Sequence, residues 1–342
     1  MEMTETAKEK KYNGTGTSAT LLAGTAVLLL LLLFSGIETY GQLKSTYEVR
    51  WVGQCPADEA DSKKSFGKRI SEVIFGQKPQ EVIKPFGVVA FSRDHYLIAD
   101  QGKGTIFEYK SGKLNELKGI TKDTPQFPSL VGMVRLPGGE LLFTDSRQNM
   151  IFSIDDHVFS LLSDTLSLVQ PTGIAFSKKT GEIWVVETGA HRITVLSREG
   201  KVLKRIGERG SSEGAFNYPT FIWIDDSGKV YIVDSMNFRI QVMDPLGNFL
   251  YKFGENGDAT GYMARPKGVA TDSRGNIYVA DALFHVVQIF DAEGNFLYSF
   301  GRQGQDKGEF WMPAGIYIDE QDYIYVADSY NARIQIFQLE KN

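Results

Sequence analysis

The residue types that carry most protein chemistry are sparse in this sequence. Four histidines, His95, His157, His191 and His285, are scattered along 342 residues. Cys55 is the only cysteine, which excludes an intramolecular disulfide and a cysteine-based metal cluster. Residues 210–214 match the G-x-S-x-G pattern of serine hydrolases. That pattern works only on a strained strand-to-helix turn with a histidine in reach, so in a β-rich context we interpret the match as chance.

Acidic residues, in contrast, recur at regular intervals, each at the end of a short apolar segment. They are Asp100, Asp145, Glu187, Asp234, Asp281 and Asp328. A proline precedes each of them by roughly 15 residues, as a repeat requires; these are Pro85, Pro128, Pro171, Pro219, Pro266 and Pro313. In three copies an arginine follows the acid, at Arg192, Arg239 and Arg333. We interpret the acids as acceptors of hydrogen bonds from their own turns, and the arginines as partners across the strands.

The elements that must position these residues are short strands. Residues 266–301 read as four apolar strands separated by turns, among them Asp272–Gly275 and Asp291–Gly294, whose glycines suit tight hairpins. Such a meander cannot bury both faces alone and must stack on copies of itself. Six copies with a period in the forties predict an all-β fold, a six-bladed β-propeller.

The repeat resembles the NHL-repeat family. The resemblance rests on the pattern Pro-x-Gly-Ile/Val … Ile-Tyr-Val-Ala-Asp-x-x-Asn-x-Arg-Ile-Gln, and it is clearest in residues 219–254 and 313–337. It implies a six-bladed propeller, a fold used by binding platforms, sensor domains and some enzymes. Amidating lyases of similar repeat carry a metal-binding histidine after the proline. This sequence has none there, so that activity is not carried over.

The amino terminus predicts a membrane segment. Ala19–Ile37 is apolar and uncharged, and at about 1.5 Å per residue it reaches roughly 28 Å, enough to span a bilayer core. Lys8, Lys10 and Lys11 place residues 1–18 in the cytoplasm and the propeller on the extracytoplasmic side, periplasmic or at the cell surface. The alternative is a cleaved signal peptide, which would make the protein secreted.

A polar linker is expected over residues 38–68 and the propeller over residues 69–342. The sixth repeat lacks a fourth strand, so a segment from the amino-terminal side must close the ring. Ile70–Gly76 is the preferred closing strand, because it resembles the fourth strands at Phe249–Gly254 and Phe296–Gly301. Tyr47–Val52 is the alternative. Cys55 is interpreted as an inert or loosely packed linker residue.

The start of each inner strand and the turn after each acid should lie on one face of the disc, which we call the acid face. We expect binding there, because loops on a rigid scaffold commonly carry function. The candidate residues are Phe86, Arg147, His191, Phe221, Trp223, Met236, Lys267, Leu283, Phe284, His285 and Tyr330. Two alternatives stay open: the aromatic residues pack between blades, and His191 and His285 are solvent-facing turn residues rather than metal ligands.

The sequence favours non-catalytic binding of a peptide, a partner protein or a surface polymer. The net charge of −5 argues against nucleic acid as the partner. No cofactor is expected, although a calcium ion or another hard divalent cation on acidic side chains is an alternative. Such a cation would accompany the alternative function, a lyase- or lactonase-like enzyme acting at the mouth of the channel.

Overall fold

The computed structural model describes residues 47–57, 82–118 and 126–341. Within them the regular elements are 24 strands and three short 3-10 helices. The strands form six four-stranded sheets, which confirms the all-β six-bladed propeller. The chain separates into two units, and Val49–Glu340 form the propeller unit.

Each blade contains four strands, ordered from the innermost to the outermost. Blade 1 is β2 (Pro85–Ser92), β3 (His95–Asp100), β4 (Thr105–Lys110) and β5 (Lys113–Glu116). Blade 2 is β6 (Leu130–Arg135), β7 (Leu141–Asp145), β8 (Met150–Asp155) and β9 (Val158–Leu161). Blade 3 is β10 (Pro171–Phe176), β11 (Ile183–Glu187), β12 (Arg192–Leu196) and β13 (Val202–Ile206).

The second half of the ring repeats this order. Blade 4 is β14 (Pro219–Ile224), β15 (Val230–Asp234), β16 (Arg239–Met243) and β17 (Phe249–Phe253). Blade 5 is β18 (Pro266–Thr271), β19 (Ile277–Asp281), β20 (Val286–Phe290) and β21 (Phe296–Phe300). Blade 6 is β22 (Pro313–Ile318), β23 (Tyr323–Asp328), β24 (Arg333–Lys341) and β1 (Tyr47–Cys55). The 3-10 helices η1 (Thr188–Ala190), η2 (Ser235–Asn237) and η3 (Ser329–Asn331) follow the acids of blades 3, 4 and 6.

The ring is closed by β1, which pairs with β24 as the outermost strand of blade 6. This strand contains Tyr47–Val52, the alternative closing segment. Tyr47–Cys55 is therefore a blade strand and not, as the sequence had suggested, part of a linker. The preferred closing segment, Ile70–Gly76, lies outside the described residues. Side chains reinforce the pairing: Trp51 Nε1 donates to Gln335 Oε1 at 3.1 Å and Arg50 Nε to Glu340 Oε1 at 2.6 Å.

The second blade starts two residues later than its proline predicts. Leu130, not Pro128, pairs with Asp145, in the register that joins Pro85 to Asp100 in blade 1. The residues that correspond to Pro-x-Gly are therefore Leu130, Val131 and Gly132. The proline is easier to recognise in the sequence, but the acid determines the pairing register of the strands. Its carboxylate accepts a hydrogen bond from a backbone amide at the start of the inner strand.

In blades 1, 5 and 6, the third residue from the start of the inner strand is glycine, because neighbouring inner strands approach closely there. A Cβ on Gly87 would lie 2.7 Å from the carbonyl oxygen of Val131, and one on Gly268 would lie 2.7 Å from that of Ala314. A Cβ on Gly315 would clash with the carbonyl of Phe86, where blade 6 meets blade 1. Only glycine permits this contact between backbones.

Apolar side chains fill the space between neighbouring blades. The cluster between blades 6 and 1, for example, contains Ile98 and Tyr325 and includes Cys55, whose side chain is 1% exposed. Cys55 is therefore a tightly packed blade residue and not part of a loose linker. Burial raises the pKa of its thiol to about 12, so it is a poor nucleophile at neutral pH.

Among the described residues, no helix is of a length and apolarity that would cross a membrane. The predicted membrane segment, Ala19–Ile37, lies outside the described residues.

Candidate functional site

The six acids are structural, as predicted. All are fully buried, and each accepts hydrogen bonds from backbone amides at the start of its own inner strand. Asp281, for example, accepts from the amides of Ala264 and Arg265 at 2.8 and 3.0 Å and from the amide of Leu283 at 3.1 Å. The carboxylates thus hold the inner-strand start and the acid turn together on one face.

The three arginines also have the predicted partners. Arg192 bonds Glu187, Arg239 bonds Asp234 and Arg333 bonds Asp328, each at 2.8 Å. Burial alone would raise the pKa of Glu187, but hydrogen bonds from Arg192 and Thr194 hold the pKa below its ordinary value. These ionic groups belong to the scaffold and are unavailable to a ligand.

His191 and His285 join neighbouring blades. Each has a left-handed backbone and accepts, through Nδ1 at 3.1 Å, the amide proton of a residue in the next blade, Tyr218 or Met312. Asn149 makes the equivalent contact from blade 2, with the amide of Gln170 at 2.8 Å. His191 is 8% exposed, so the expectation of a solvent-facing side chain is wrong for this residue, whereas His285 is half-buried. As acceptors at Nδ1, both rings are committed to structure.

Phe221 and Trp223 lie away from the acid face. Phe221 occupies the glycine position of blade 4, so its side chain points at the next blade and packs on the core between blades 4 and 5. Trp223 donates from Nε1 to Thr271 Oγ1 at 2.9 Å and meets Tyr317 of blade 6 edge-on at 5.4 Å. Because blade 5 separates blades 4 and 6, this aromatic pair reaches across the interior of the ring.

Charged side chains also cross the opposite face, which we call the far face. Lys178 of blade 3 contacts Asp226 of blade 4 at 3.0 Å and Glu320 of blade 6 at 4.0 Å. Blades 3 and 6 are opposite each other in a ring of six, so the pair spans the axis. The far face is thus crossed by exposed charged side chains, and we call the centre of the acid face the mouth.

The mouth is lined by the second residue of each inner strand. These residues are Phe86, Val131, Thr172, Thr220, Lys267 and Ala314. In blades 3 and 4 the threonine hydroxyls are engaged, Thr172 with Thr188 at 2.7 Å and Thr220 with Ser235 at 2.6 Å. The side of the mouth formed by blades 5, 6 and 1 differs, because its second inner-strand residues are Lys267, Ala314 and Phe86, and none of them carries a hydroxyl.

Exposed apolar side chains surround this mouth. Among the described residues, large hydrophobic side chains more than about a third exposed include seven on acid-face turns: Ile83, Val169, Tyr218, Met236, Leu283, Trp311 and Tyr330. Trp311 and Tyr330 lie 6.0 Å apart, and the Lys84 ammonium group lies 5.8 Å from the centre of the Tyr330 ring. We call these seven residues the apolar rim. A contiguous apolar patch rimmed by polar residues is typical of a binding site.

Of the predicted candidates, Met236, Leu283 and Tyr330 belong to the rim. Lys267 and Phe86 line the mouth, the side chain of Arg147 is exposed on an acid-face turn and Phe284 is partly buried in the turn of blade 5. Sequence reasoning missed the other four rim residues, which precede the inner-strand proline by one or two residues: Ile83, Val169, Tyr218 and Trp311. The sequence could have identified these residues. The positions just before the inner-strand proline vary between repeats and lie on the same face as the acid turn.

Lys267 is the least satisfied charged group at the mouth. Burial, and then the nearby charges of Arg265 and Lys84, lower its pKa to about 8. No carboxylate of the described residues lies within ion-pair distance of any of these three cations. Relative to a free lysine, keeping Lys267 charged in the folded protein costs on the order of 3 kcal/mol. Perturbed groups of this kind concentrate at functional sites.

We predict that Lys267→Met stabilises the protein. The folded pKa lies below the unfolded value, so the cost of the ammonium is full below about pH 8 and disappears as pH rises past the ordinary lysine pKa. Thermal unfolding at pH 6.5 should show a gain of about 1–3 kcal/mol that vanishes near pH 10.5. Lys178→Met, at an exposed pair, is the control and should show no such trend. A destabilised Lys267→Met at pH 6.5 would contradict the assignment.

No group of three or more potential metal ligands converges among the described residues. The G-x-S-x-G segment lies in the connector between blades 3 and 4, where the carbonyls of Ser211 and Ser212 accept hydrogen bonds from Arg239 at 2.8 Å. That backbone is committed to the blade and does not form a strand-to-helix turn.

Comparison with known families agrees with the repeat geometry. Residues 168–196 match the NHL repeat and residues 268–342 match a family described as 6-bladed beta-propeller. The resemblance to NHL-repeat propellers is confirmed. The NHL-repeat match covers the acid of blade 3 together with Arg192 and His191, the histidine that accepts a hydrogen bond from the next blade. No curated protein matches the chain in sequence.

Solved structures share the fold at low identity. A catalytically inactive virginiamycin B lyase from Staphylococcus aureus, solved with quinupristin, is 15% identical with a TM-score of 0.55, covering 85% of this chain and 99% of its own. An auxiliary nutrient binding protein from Bacteroides thetaiotaomicron is 14% identical with a TM-score of 0.58, covering 76% and 69%. A gluconolactonase from Xanthomonas campestris is 14% identical with a TM-score of 0.57, covering 76% and 87%. The propeller thus shares its fold with proteins described as a lyase, a nutrient binding protein and a gluconolactonase.

Proposed function

We propose that this NHL-repeat propeller is a membrane-anchored, extracytoplasmic binding platform without catalytic activity, and that its acid face binds a peptide or a partner protein. The observation that carries the proposal is the apolar rim around a mouth that holds Lys267. Protein-binding surfaces are enriched in exposed tryptophan, tyrosine and methionine, and the rim contains all three.

The scaffold supports a binding role over an enzymatic one. The repeated acids, arginines and clamping histidines all have internal partners, so they fix the geometry of the face. The residues left exposed on this face include the seven apolar side chains of the rim, which transfer no protons at neutral pH. No observation favours the lyase- or lactonase-like alternative beyond the shared fold.

The anchor is part of the same proposal. The apolar segment Ala19–Ile37, preceded by Lys8, Lys10 and Lys11, would hold the propeller close to the outer surface of the membrane. There a platform of this kind meets peptides, proteins and surface polymers rather than cytoplasmic metabolites.

Site-specific photocrosslinking in native membranes tests the proposal. A benzophenone amino acid is placed at Met236 or Leu283 on the acid face, or at the matched control positions Leu250 or Leu297 on outermost strands of the same blades. The four side chains are 45–52% exposed. The acid-face probes should give one shared, saturable product, still associated with the membrane after alkaline carbonate washing. Equal labelling from the outer strands would contradict the site, and a washed-off product would contradict the anchor.

A further inference from the structure

We infer that the mouth binds a polypeptide segment that places a carboxylate beside Lys267 and apolar side chains on the part of the rim contributed by blades 5, 6 and 1. This inference rests on the proposed function and names the chemistry of its ligand. Blades 5, 6 and 1 are consecutive in the ring, so their acid-face residues form one continuous sector.

Charge is the first argument. Lys267 and Arg265 come from blade 5 and Lys84 from blade 1, and the charges of Arg265 and Lys84 act on Lys267. The acids of the surrounding blades, Asp100, Asp234, Asp281 and Asp328, are fully buried and bonded to backbone amides. Among the described residues, no carboxylate forms an ion pair with Lys267, Arg265 or Lys84, and the charges that act on Lys267 are positive. A buried cation without a partner is costly, and an incoming anion removes that cost.

The apolar surface beside these cations is the second argument. Leu283, Trp311, Tyr330 and Ile83 are 50%, 41%, 57% and 51% exposed, one or two from each of the three blades. The contact of Lys84 with the Tyr330 ring joins the cationic and apolar parts into one surface. A ligand that fits both parts carries an anionic group within an apolar segment.

The open shape of the sector favours a polypeptide over other anions. The rim side chains of this sector lie on turns and are 41–57% exposed, so an alkyl chain laid on them would keep one side in water. A phosphate-rich polymer would match the cations. It would also displace water from the apolar rim, but it has no apolar groups to pack there. Apolar side chains of a polypeptide pack onto such tips, and an aspartate or glutamate among them supplies the carboxylate.

The rest of the mouth provides an internal control. Blades 2, 3 and 4 contribute Val131 and the two internally bonded threonines, together with Arg147, an exposed cation on the turn of blade 2. The inference thus predicts that removing the charge of Lys267 matters and that removing the charge of Arg147 does not.

Two matched peptide pools test the inference. Both are acetylated, amidated nonapeptides with a central residue flanked by Leu, Phe, Tyr or Trp and by random uncharged positions; the centre is Glu in one pool and Gln in the other. The immobilised full-length protein should retain the Glu pool about tenfold better at pH 6.5, which corresponds to about 1.4 kcal/mol. Lys267→Met should reduce the ratio to about one, and Arg147→Met should leave it unchanged.

The preference should also fall between pH 6.5 and 9.5, because Lys267, with a pKa of about 8, loses its charge while the peptide carboxylate keeps its own. Equal retention of both pools by the wild-type protein would overturn the inference and leave the proposed platform intact. Retention of neither pool would overturn both. Displacement of the Glu pool by dodecanoate or polyphosphate, at concentrations where an uncharged nonapeptide of the same set fails, would assign the site to those anions and overturn the polypeptide ligand.

Discussion

Deletion of residues 47–55 from the full chain should abolish cooperative folding of the propeller. The deletion removes β1, so β24 becomes an unpaired outer edge and the cluster between blades 6 and 1 loses Cys55 and its contact with Val52. The strand ladder and the bonds of Trp51 and Arg50 each contribute about 1 kcal/mol net, which together with the lost burial amounts to more than about 5 kcal/mol. Most domains have a total stability of only about 5–15 kcal/mol.

The measurement is thermal unfolding, followed by circular dichroism and by light scattering to detect association through the exposed edge. The matched control deletes residues 70–76 (Ile70–Gly76), the segment that resembles a fourth strand in sequence. That control should keep the unfolding temperature of the wild-type protein, because the closing position is already occupied by β1. If the 70–76 deletion unfolds the protein and the 47–55 deletion does not, the assignment of the closing strand is wrong.

The competition between these two segments shows where sequence reasoning reaches its limit. Ile70–Gly76 shares the Phe/Ile…Phe-Gly pattern of internal fourth strands, which connect directly to the next blade. A closing strand has a different requirement, since it must match the third strand of blade 6. Trp51 meets Gln335, Gln54 meets Arg333 and Arg50 meets Glu340. These are pairwise complementarities between residues almost 300 positions apart, and no local pattern records them.

The repeated part of the fold was predictable because each repeat carries its own register. The acid at the end of the second strand binds the amides that precede the inner strand, so acid positions alone locate six blades. In blade 2 the acid predicts the strand register better than the proline does. Asp145 pairs with Leu130, whereas Pro128 lies two residues before the paired position. The candidate site was predicted only in part: rim residues such as Met236 and Tyr330 follow from repeat positions, but Trp223 depends on a contact across the ring interior.

Asp234→Ala should strongly destabilise the propeller. Its carboxylate is fully buried and accepts from Arg239 at 2.8 Å, from Asn237 at 2.8 Å and from the amide of Asn217 at 2.7 Å. The substitution leaves the Arg239 guanidinium, itself 6% exposed, without its counter-charge. Removing one partner of a buried pair costs about 3–5 kcal/mol. We expect the unfolding temperature to fall by roughly 10 °C.

Two further variants separate the role of the charge pair from that of the acid. Asp226→Ala breaks an exposed pair with Lys178 and should cost less than about 1 kcal/mol. Arg239→Met should cost less than Asp234→Ala, because blade 5 retains the same register with Val286 opposite Asp281 and with backbone amides as the acid's partners. The acid is therefore required to hold the acid turn against the start of the inner strand. The arginine adds stability to that arrangement. An Arg239→Met variant less stable than Asp234→Ala would reverse that order and would make the arginine, rather than the acid, the residue that holds the turn.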